Sequence, residues 1–259
     1  FIVKRSKKSF FDSSNKISPE ESTLYVIEVN PRSSRTIPFI SKVTGVPMID
    51  LAIKVIYGEK LDKLGFSEGL VKEKNLFAVK SPVFSMSKLS GVDTYLGPEM
   101  KSTGEVMGID NNLPNAMKKA MIASGLEVDS KTSFLLSIAD RDKKDSVNFI
   151  KKLNKNGNKI YATEGTYNFI KSMGFDVEKV NKILSQSPTV IDLISNGKVG
   201  AVLNTVTGDR SAMQDGYHIR RKATELSIPC YTSIDTAYAT VMETHNKTMN
   251  VSTVDDYTD

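Results

Sequence analysis

The chain has 259 residues, 39% of them hydrophobic and 25% charged, which is typical of a soluble globular protein with one or two domains. Its net charge of +5 does not predict a nucleic-acid partner, because the one compact basic run, residues 4–8, leads into a polar stretch and the other lysines are scattered. No stretch approaches the roughly 20 apolar residues of a membrane span, and no basic-then-apolar leader opens the chain. The single cysteine, Cys230, excludes an intrachain disulfide and a Cys-based zinc site. We therefore expect no membrane partner and a reducing, cytoplasmic compartment.

The first predicted elements are two strands separated by a polar loop. Residues 1–4 read as a strand already under way at Phe1, residues 9–23 as a turn-rich surface loop, and residues 25–29 as a second strand that Pro31 ends. Because Phe1 is not a methionine, we expect the sequence to be part of a longer chain. A helix is predicted from residue 48 to about residue 57, since its apolar residues lie at helical spacing and Gly58 follows.

Two short strands and a helix precede a change in the pattern. Residues 76–81 and 82–86 are predicted to be the strands, and residues 116–124 the helix, which Gly125 stops. Around residues 127–131 the sequence turns polar, and we place the domain boundary there. The first domain then covers residues 1–128 and the second covers residues 129–259.

Strands and helices alternate through the second domain. The strands are predicted at residues 134–138, 159–162, 177–180, 199–206 and 229–231. The helices between them begin near residues 147, 166, 190, 217 and 236; the first three stop at Gly157, Gly174 and Gly197, and the last two run to about residues 226 and 245. This alternation predicts an α/β fold with a parallel sheet covered by helices on both faces, in which ligands bind beyond the carboxyl ends of the strands.

A carboxylate, an amide and an arginine stand at alternate positions near the end of the second predicted strand. In an extended segment Glu28, Asn30 and Arg32 share one face. Carboxylate and amide oxygens suit a hard cation such as Mg²⁺, which keeps phosphate oxygens in its shell, and the forked guanidinium of Arg32 suits a phosphate. The alternative is an exposed ion pair between Glu28 and Arg32 at a strand end.

Two longer blocks decide between these interpretations. Residues 28–39 (EVNPRSSRTIPF) and residues 41–47 (SKVTGVP) closely resemble the end of an ATP-grasp domain in the large chain of carbamoyl phosphate synthetase. Residues 91–108 (GVDTYLGPEMKSTGEVMG) match the same family in the same order. The resemblance implies a ligase that makes carbamoyl phosphate from bicarbonate, glutamine-derived ammonia and two ATP. It also implies that Glu28 and Asn30 hold Mg²⁺ or Mn²⁺ and that Arg32 is a catalytic residue near the phosphates.

The same resemblance implies partners and an incomplete catalytic site. A glutaminase small subunit or a fused glutaminase domain would supply the ammonia, the full-length enzyme would be an oligomer, and its product would enter arginine or pyrimidine biosynthesis. An ATP-grasp fold needs an upstream half with the adenine pocket and a further metal ligand, which residues 1–24 do not supply. We therefore expect the isolated chain to bind an effector without turning over.

Three predicted strand ends in the second domain carry residues suited to an anion. They are residues 140–143 (DRDK), residues 163–166 (TEGT) and residues 204–208 (NTVTG). A helix begins at the second of them, so free backbone N–H groups and the positive end of the helix dipole face whatever binds there. The three ends meet only if the parallel sheet is built as predicted.

The order and spacing of these residues resemble the methylglyoxal-synthase-like regulatory domain that ends the same large chain. In family members that respond to nucleotides, two lysines and two threonines hold the effector phosphate, and an asparagine lies near the ribose and base. By alignment these residues are Lys143, Thr163, Thr166, Lys182 and Asn204. Two lysines and a helix N-terminus suit a phosphate dianion, so we expect a phosphorylated effector of the UMP, IMP or PRPP class.

Some positions depart from the family pattern. The threonine expected two positions after Asn204 is Val206, and Thr205 or Thr207 is the alternative contact with the base. The family's ornithine site uses an acidic residue and a tyrosine where this chain has Ser81 and Cys230, so ornithine activation is not expected.

The expected fold is therefore the C-terminal remnant of an ATP-grasp (α+β) domain followed by a doubly wound parallel-sheet, methylglyoxal-synthase-like domain. Methylglyoxal synthases carry a catalytic carboxylate where residues 187–191 (SPTVI) have none, which argues against catalysis by the second domain. One alternative is a free-standing nucleotide-binding regulatory module without catalysis. Another is a different ATP-grasp ligase, such as a biotin carboxylase relative, which would lack the phosphate-site residues.

Overall fold

The fold is described from a computed structural model of the chain. It describes residues 2–5, 22–30, 32, 34–66, 69–89, 91–97, 99–183, 185–206, 210–242 and 251–258. Three sheets lie within these ranges: two antiparallel pairs in the first half of the chain and a five-stranded parallel sheet in the second half. No helix among the described residues is long and apolar enough to cross a membrane.

The first sheet is the antiparallel pair β1 (Ile2–Arg5) and β2 (Ser22–Tyr25). The prediction of a strand over residues 25–29 is wrong, since β2 ends at Tyr25. The register places Tyr25 opposite Ile2 at the end of the described pairing. Residues 26–30 are exposed and non-helical, and Glu28 and Asn30 therefore do not lie on a strand face.

Two helices follow this sheet. Helix α1 (Thr36–Thr44) was not predicted, although Pro38 in its first turn and Gly45 after its end, in the left-handed region at φ 74°, are ordinary signals of a helix start and stop. Helix α2 (Met48–Ile56) confirms the helix predicted from residue 48.

The second sheet pairs β3 (Phe77–Val83) with β4 (Gly104–Asp110) in antiparallel fashion. Sequence patterning predicted two strands divided at Pro82, but β3 runs through that residue. A proline is tolerated there because β3 is paired on one side alone. Helix α3 (Leu113–Ala123) packs on this sheet, and the Asn112 side chain caps it by accepting a hydrogen bond of 3.1 Å from the Asn115 backbone N–H.

The parallel sheet has the order β7-β6-β5-β8-β9. Its strands are β5 (Phe134–Ser137), β6 (Ile160–Thr163), β7 (Glu178–Val180), β8 (Ala201–Asn204) and β9 (Cys230–Tyr231). The helices are α4 (Val147–Asn156), α5 (Glu164–Ser172), α6 (Val190–Ser195), α7 (Arg210–Glu225) and α8 (Ile234–Val241), and a short α9 (Asp255–Thr258) follows.

The core lies on both faces of this sheet, which confirms the doubly wound prediction. Phe134 and Leu136 of β5 pack into one apolar cluster and Leu135 packs into the other, and all three side chains are fully buried. Alternate residues of a strand point to opposite faces, so both faces are covered by helices. Helix α7 begins seven residues before the predicted start, and α8 ends at Val241, while the predicted end at His245 lies outside the described residues. The domain boundary after residue 128 stays a prediction.

Candidate effector site

The carboxyl ends of β5, β6 and β8 converge at Ser137, as the sequence predicted. The Thr163 hydroxyl at the end of β6 lies 3.4 Å from the Ser137 hydroxyl. The Asn204 Nδ2 at the end of β8 lies 3.4 Å from the Ser137 carbonyl oxygen. Parallel pairing of β5 with both neighbours places these three residues at one edge, where the strand order of a doubly wound sheet reverses and ligands bind.

Two threonines hold the backbone that follows β5. The Thr166 hydroxyl oxygen accepts a hydrogen bond of 2.9 Å from the Ile138 N–H, and the Thr205 hydroxyl oxygen accepts one of 2.8 Å from the Ala139 N–H. Both side chains are buried. Thr166 and Thr205 thus fix the chain beyond the strand, and any effector contact they make is additional to that bond. The other alternative, Thr207, lies outside the described residues.

The Lys143 ammonium lies against the first turn of α5. A Cβ placed on Gly165 would lie 3.4 Å from the Lys143 Nζ, so the ammonium lies beside the Gly165 backbone in the turn that also contains Thr166. Thr163 precedes α5 in extended backbone, and within the described part of the chain its side chain makes no capping hydrogen bond. The free N–H groups of this turn and the ammonium therefore create a positive site.

A carboxylate already pairs with this ammonium. Asp140 Oδ1 lies 2.6 Å from Lys143 Nζ, and the hydrogen bond and charge of Lys143 hold the pKa of Asp140 below its ordinary value. The Asp140 side chain is 94% exposed while that of Lys143 is 18% exposed, so the carboxylate can move into solvent and the ammonium stays in place. An anionic ligand would exchange with Asp140.

The second predicted lysine, Lys182, acts through its charge on the first turn of the same helix. Lys182 follows β7 and is exposed. Glu164, in the first turn of α5, has its pKa lowered first by its ion pair with Lys179 and further by the charge of Lys182. Contact of Lys182 with an effector stays a prediction.

A residue that was not selected from the sequence donates a hydrogen bond to Asn204. Arg220 of α7 is 1% exposed. Its Nε and one terminal nitrogen donate to the two Asp93 carboxylate oxygens at 2.9 and 2.6 Å, and the other terminal nitrogen donates to Asn204 Oδ1 at 2.6 Å. Gly216 makes room for this arrangement, because a Cβ there would lie 2.7 Å from the guanidinium and 2.9 Å from Asn204 Oδ1. The sequence signal for this close packing was Gly216, a glycine inside a helix one turn before Arg220.

The same face of α7 holds the chain that leads to Asp93. The Tyr217 hydroxyl donates to the Gly91 carbonyl oxygen at 3.3 Å, and Arg221 donates to the Met86 carbonyl oxygen at 3.1 Å. We call residues 86–93 the anchored segment. It includes the start of the sequence block at residues 91–108 and connects the β3–β4 sheet to the candidate effector site.

The predicted metal and phosphate residues of the first domain are exposed. Glu28, Asn30 and Arg32 lie on a non-helical segment, with a backbone hydrogen bond of 2.9 Å from the Arg32 N–H to the Asn30 carbonyl oxygen. Their oxygen donors suit a hard cation. Among the described residues, no group of three or more histidine, cysteine or acidic side chains is placed to bind a metal. This pair of ligands stays a prediction.

A cavity of about 340 Å³ lies between residues 81–126 and residues 224–236. Ser81 of β3, Thr94 and Cys230 of β9 lie in its wall. Desolvation raises the pKa of the Cys230 thiol to about 12, so the thiol is protonated at neutral pH. Among the described residues, no aspartate or glutamate lines this cavity, and the expectation about ornithine stays a prediction.

Comparison with known proteins gives the family of each part. Residues 145–232 match the MGS-like domain family, and residues 15–64 match the ATP-binding domain of the carbamoyl-phosphate synthase L chain. A carbamoyl phosphate synthase large chain from Thermomicrobium roseum is 49% identical over 222 residues, which cover 85% of this chain and 21% of that protein. A solved methylglyoxal synthase from Elizabethkingia anophelis is 15% identical over 44% of this chain and 80% of its own, with a TM-score of 0.34.

The two family matches and the relative from Thermomicrobium roseum confirm the resemblance carried by the sequence blocks. The chain spans about a fifth of the length of the large chain it matches. The ATP-binding match comes before the MGS-like match, in the predicted order. The chain is thus a fragment similar to the part of a carbamoyl phosphate synthase large chain in which the end of an ATP-binding domain is followed by an MGS-like domain.

Proposed function

We propose that this chain is the effector-binding end of a carbamoyl phosphate synthetase and that a phosphorylated nucleotide-type ligand binds where β5, β6 and β8 end. The observation that carries the proposal is the Lys143 ammonium beside Gly165, in the first turn of α5, the helix that Thr163 precedes. A helix N-terminus and an ammonium together suit a phosphate dianion. Thr163, Thr166, Lys182 and Asn204 fall within the match to the MGS-like domain, and Lys143 lies two residues before it.

The whole protein would make carbamoyl phosphate from bicarbonate, glutamine-derived ammonia and two ATP. Its ammonia would come from a glutaminase subunit or a fused glutaminase domain, and the assembled enzyme would be an oligomer. Glu28 and Asn30 would hold Mg²⁺ or Mn²⁺, and Arg32 would approach the phosphates. Phosphoryl transfer depends mainly on positioning and charge neutralisation, which these residue types provide. The match of residues 15–64 to an ATP-binding domain supports this part of the proposal.

Replacing either lysine with alanine is expected to weaken nucleotide binding by about tenfold or more. Each change removes a charge-assisted contact with the phosphate, of the kind worth roughly 1.5–3 kcal/mol. Isothermal titration calorimetry of the chain with uridine monophosphate, inosine monophosphate and phosphoribosyl pyrophosphate identifies the effector. The tightest ligand is then titrated into Lys143→Ala and Lys182→Ala.

Lys144→Ala is the matched control, because this exposed neighbour has the same charge and lies outside the predicted site. Its affinity should stay within twofold of the parent chain. If Lys143→Ala, Lys182→Ala and Lys144→Ala all bound the nucleotide with equal affinity, the phosphate would not bind at Lys143 and Lys182. No binding of any of the three ligands would contradict the proposed function itself.

Asp140→Asn is expected to tighten nucleotide binding by about two- to fivefold. The change removes the carboxylate that competes with phosphate for Lys143 and also removes its repulsion of the ligand. Because exposed ion pairs are screened by salt, the difference in affinity between Asp140→Asn and the parent chain should shrink as ionic strength rises. We suggest titrations at about 20 and about 500 mM, where the Debye length is roughly 20 and roughly 4 Å. Weaker binding by Asp140→Asn would mean that Asp140 positions Lys143 instead of competing with the ligand.

A further inference from the structure

Arg220 fixes the orientation of the Asn204 amide. A guanidinium can donate hydrogen bonds but cannot accept them, so the Asn204 atom at 2.6 Å from it must be the carbonyl oxygen Oδ1. The other polar atom of the amide, Nδ2, is thereby assigned to the opposite edge of the side chain. Without Arg220, the amide could turn over at little cost.

Among the described residues, the Nδ2 donor makes one long contact with the protein. Its contact with the Ser137 carbonyl oxygen is 3.4 Å, longer than the ordinary range for N–H···O bonds. Asn204 is 4% exposed and lies at the edge where the three strand ends meet. A buried donor with a long bond gains when a ligand supplies a better acceptor.

Asp93 in turn holds Arg220. Both of its carboxylate oxygens accept hydrogen bonds from the guanidinium, and Asp93 belongs to the anchored segment, residues 86–93, far from α7 in sequence. A continuous chain of short hydrogen bonds therefore runs from the anchored segment through Arg220 to Asn204. Hydrogen bonds in such a chain polarise one another, so a new bond at Nδ2 strengthens the bond at Oδ1.

We propose that Arg220 and Asp93 are positioning residues of the effector site and that they link its occupancy to the seating of the anchored segment on α7. The inference rests on the proposed function, because it requires a ligand at Asn204. Arg220 presents the Nδ2 donor to the ligand, and Asp93 keeps Arg220 in place. Ligand binding should therefore slow the opening of the anchored segment. By linkage, loss of the Asp93 contact must weaken ligand binding by the same factor by which the ligand stabilises the seated form of the anchored segment.

The test uses Asp93→Asn and Arg220→Lys in the full chain. Asparagine keeps the size of Asp93 but loses one acceptor and the charge, and lysine keeps the charge of Arg220 but loses the planar fork. Calorimetry should show nucleotide affinity weaker by about three- to tenfold in each variant. The affinity for inorganic phosphate, measured by competition with the nucleotide, should change by less than twofold, because phosphate binds at Lys143 and does not reach Asn204.

Hydrogen exchange of peptides covering residues 86–97 supplies the reciprocal measurement. In the parent chain, saturating nucleotide should slow exchange there by the same three- to tenfold, whereas inorganic phosphate should not. In Asp93→Asn, exchange should be faster and nucleotide should no longer slow it. If the pair had a merely structural role, Asp93→Asn would exchange faster, but its nucleotide affinity and the slowing of exchange by nucleotide would not change.

The outcomes separate this inference from the proposed function. Nucleotide binding that Lys143→Ala weakens, together with unchanged affinity in Asp93→Asn and Arg220→Lys, would overturn the positioning role and leave the proposed function intact. Equal losses for nucleotide and inorganic phosphate would also overturn it, since the effect would then lie at the phosphate. Absence of any nucleotide binding to the parent chain would overturn both.

Discussion

Replacing Asp93 with alanine is expected to lower the free energy of unfolding by about 3 kcal/mol, the low end of the range for breaking a buried ion pair. The change leaves the guanidinium of Arg220, which is 1% exposed, without its charged partner. Two short hydrogen bonds are lost with it. The loss stays at the low end because the Asp93 side chain is 33% exposed and water can partly replace it. In thermal unfolding this corresponds to a fall in Tm of about 6–12 °C.

A double variant separates the unpaired charge from the loss of contacts. Asp93→Ala with Arg220→Met removes both charges and fills the buried space with an apolar side chain, so it should be more stable than Asp93→Ala alone. Asp145→Ala removes an exposed carboxylate and should stay within about 0.5 kcal/mol of the parent chain. A Tm for Asp93→Ala within 1 °C of the parent, or a double variant less stable than the single one, would contradict the assignment.

The same pair predicts a pH dependence. Desolvation opposes ionisation of Asp93, but the hydrogen bonds and charge of Arg220 outweigh it and hold the pKa of Asp93 below its ordinary value of 3.8. A carboxyl group with a depressed pKa contributes stability above its unfolded-state pKa and loses that contribution as the pH falls through its folded-state pKa. The stability difference between the parent chain and Asp93→Asn should therefore be constant near neutral pH and narrow below about pH 3.8.

The second half of the fold was predictable because its signals are local and agree with one another. The strand at Phe134–Ser137 is apolar on both faces, and glycines follow α4 and α6 closely, so sequence periodicity and stop signals gave their positions. The first half was predicted less well. β2 ends at Tyr25 although β-branched residues continue beyond it, and Pro82 lies within β3, which pairs with β4 alone among the described residues. Neither fact is encoded in the local sequence.

The candidate site divides in the same way. Thr163 and Asn204 end buried strands and Lys143 follows one, so the rule that ligands bind beyond the carboxyl ends of parallel strands pointed to these segments, and the family resemblance selected the residues within them. Arg220 and Asp93 are 127 residues apart, and each looks like an ordinary surface residue in its own segment. Their pairing depends on how α7 packs against residues 86–93, and periodicity carries no information on such a contact.

Gly108→Ala is expected to destabilise the chain by about 3 kcal/mol, near the upper end for overpacking a core. Helix α3 crosses β4 so closely at this position that an added Cβ would lie 2.0 Å from the Ala116 carbonyl oxygen and 2.6 Å from the Ala120 nitrogen. Both are backbone atoms, so no side-chain rotation can relieve the overlap. The helix must move away from the sheet, which would also stretch the 2.9 Å ion pair between Lys119 of α3 and Asp110 of β4. Thermal unfolding should show a fall in Tm of about 6–12 °C.

Gly104→Ala is the matched control within the same strand, because its added Cβ would meet the Val83 Cβ at 3.7 Å, an ordinary van der Waals contact. Its Tm should stay within about 2 °C of the parent chain, since both glycines have ordinary strand backbone and the two changes differ mainly in the space above them. Hydrogen exchange then locates the damage: amides of α3 should exchange faster in Gly108→Ala, whereas those of β5 and α4 should not. If the two alanine variants have the same Tm, the close approach of α3 to β4 at Gly108 does not determine stability.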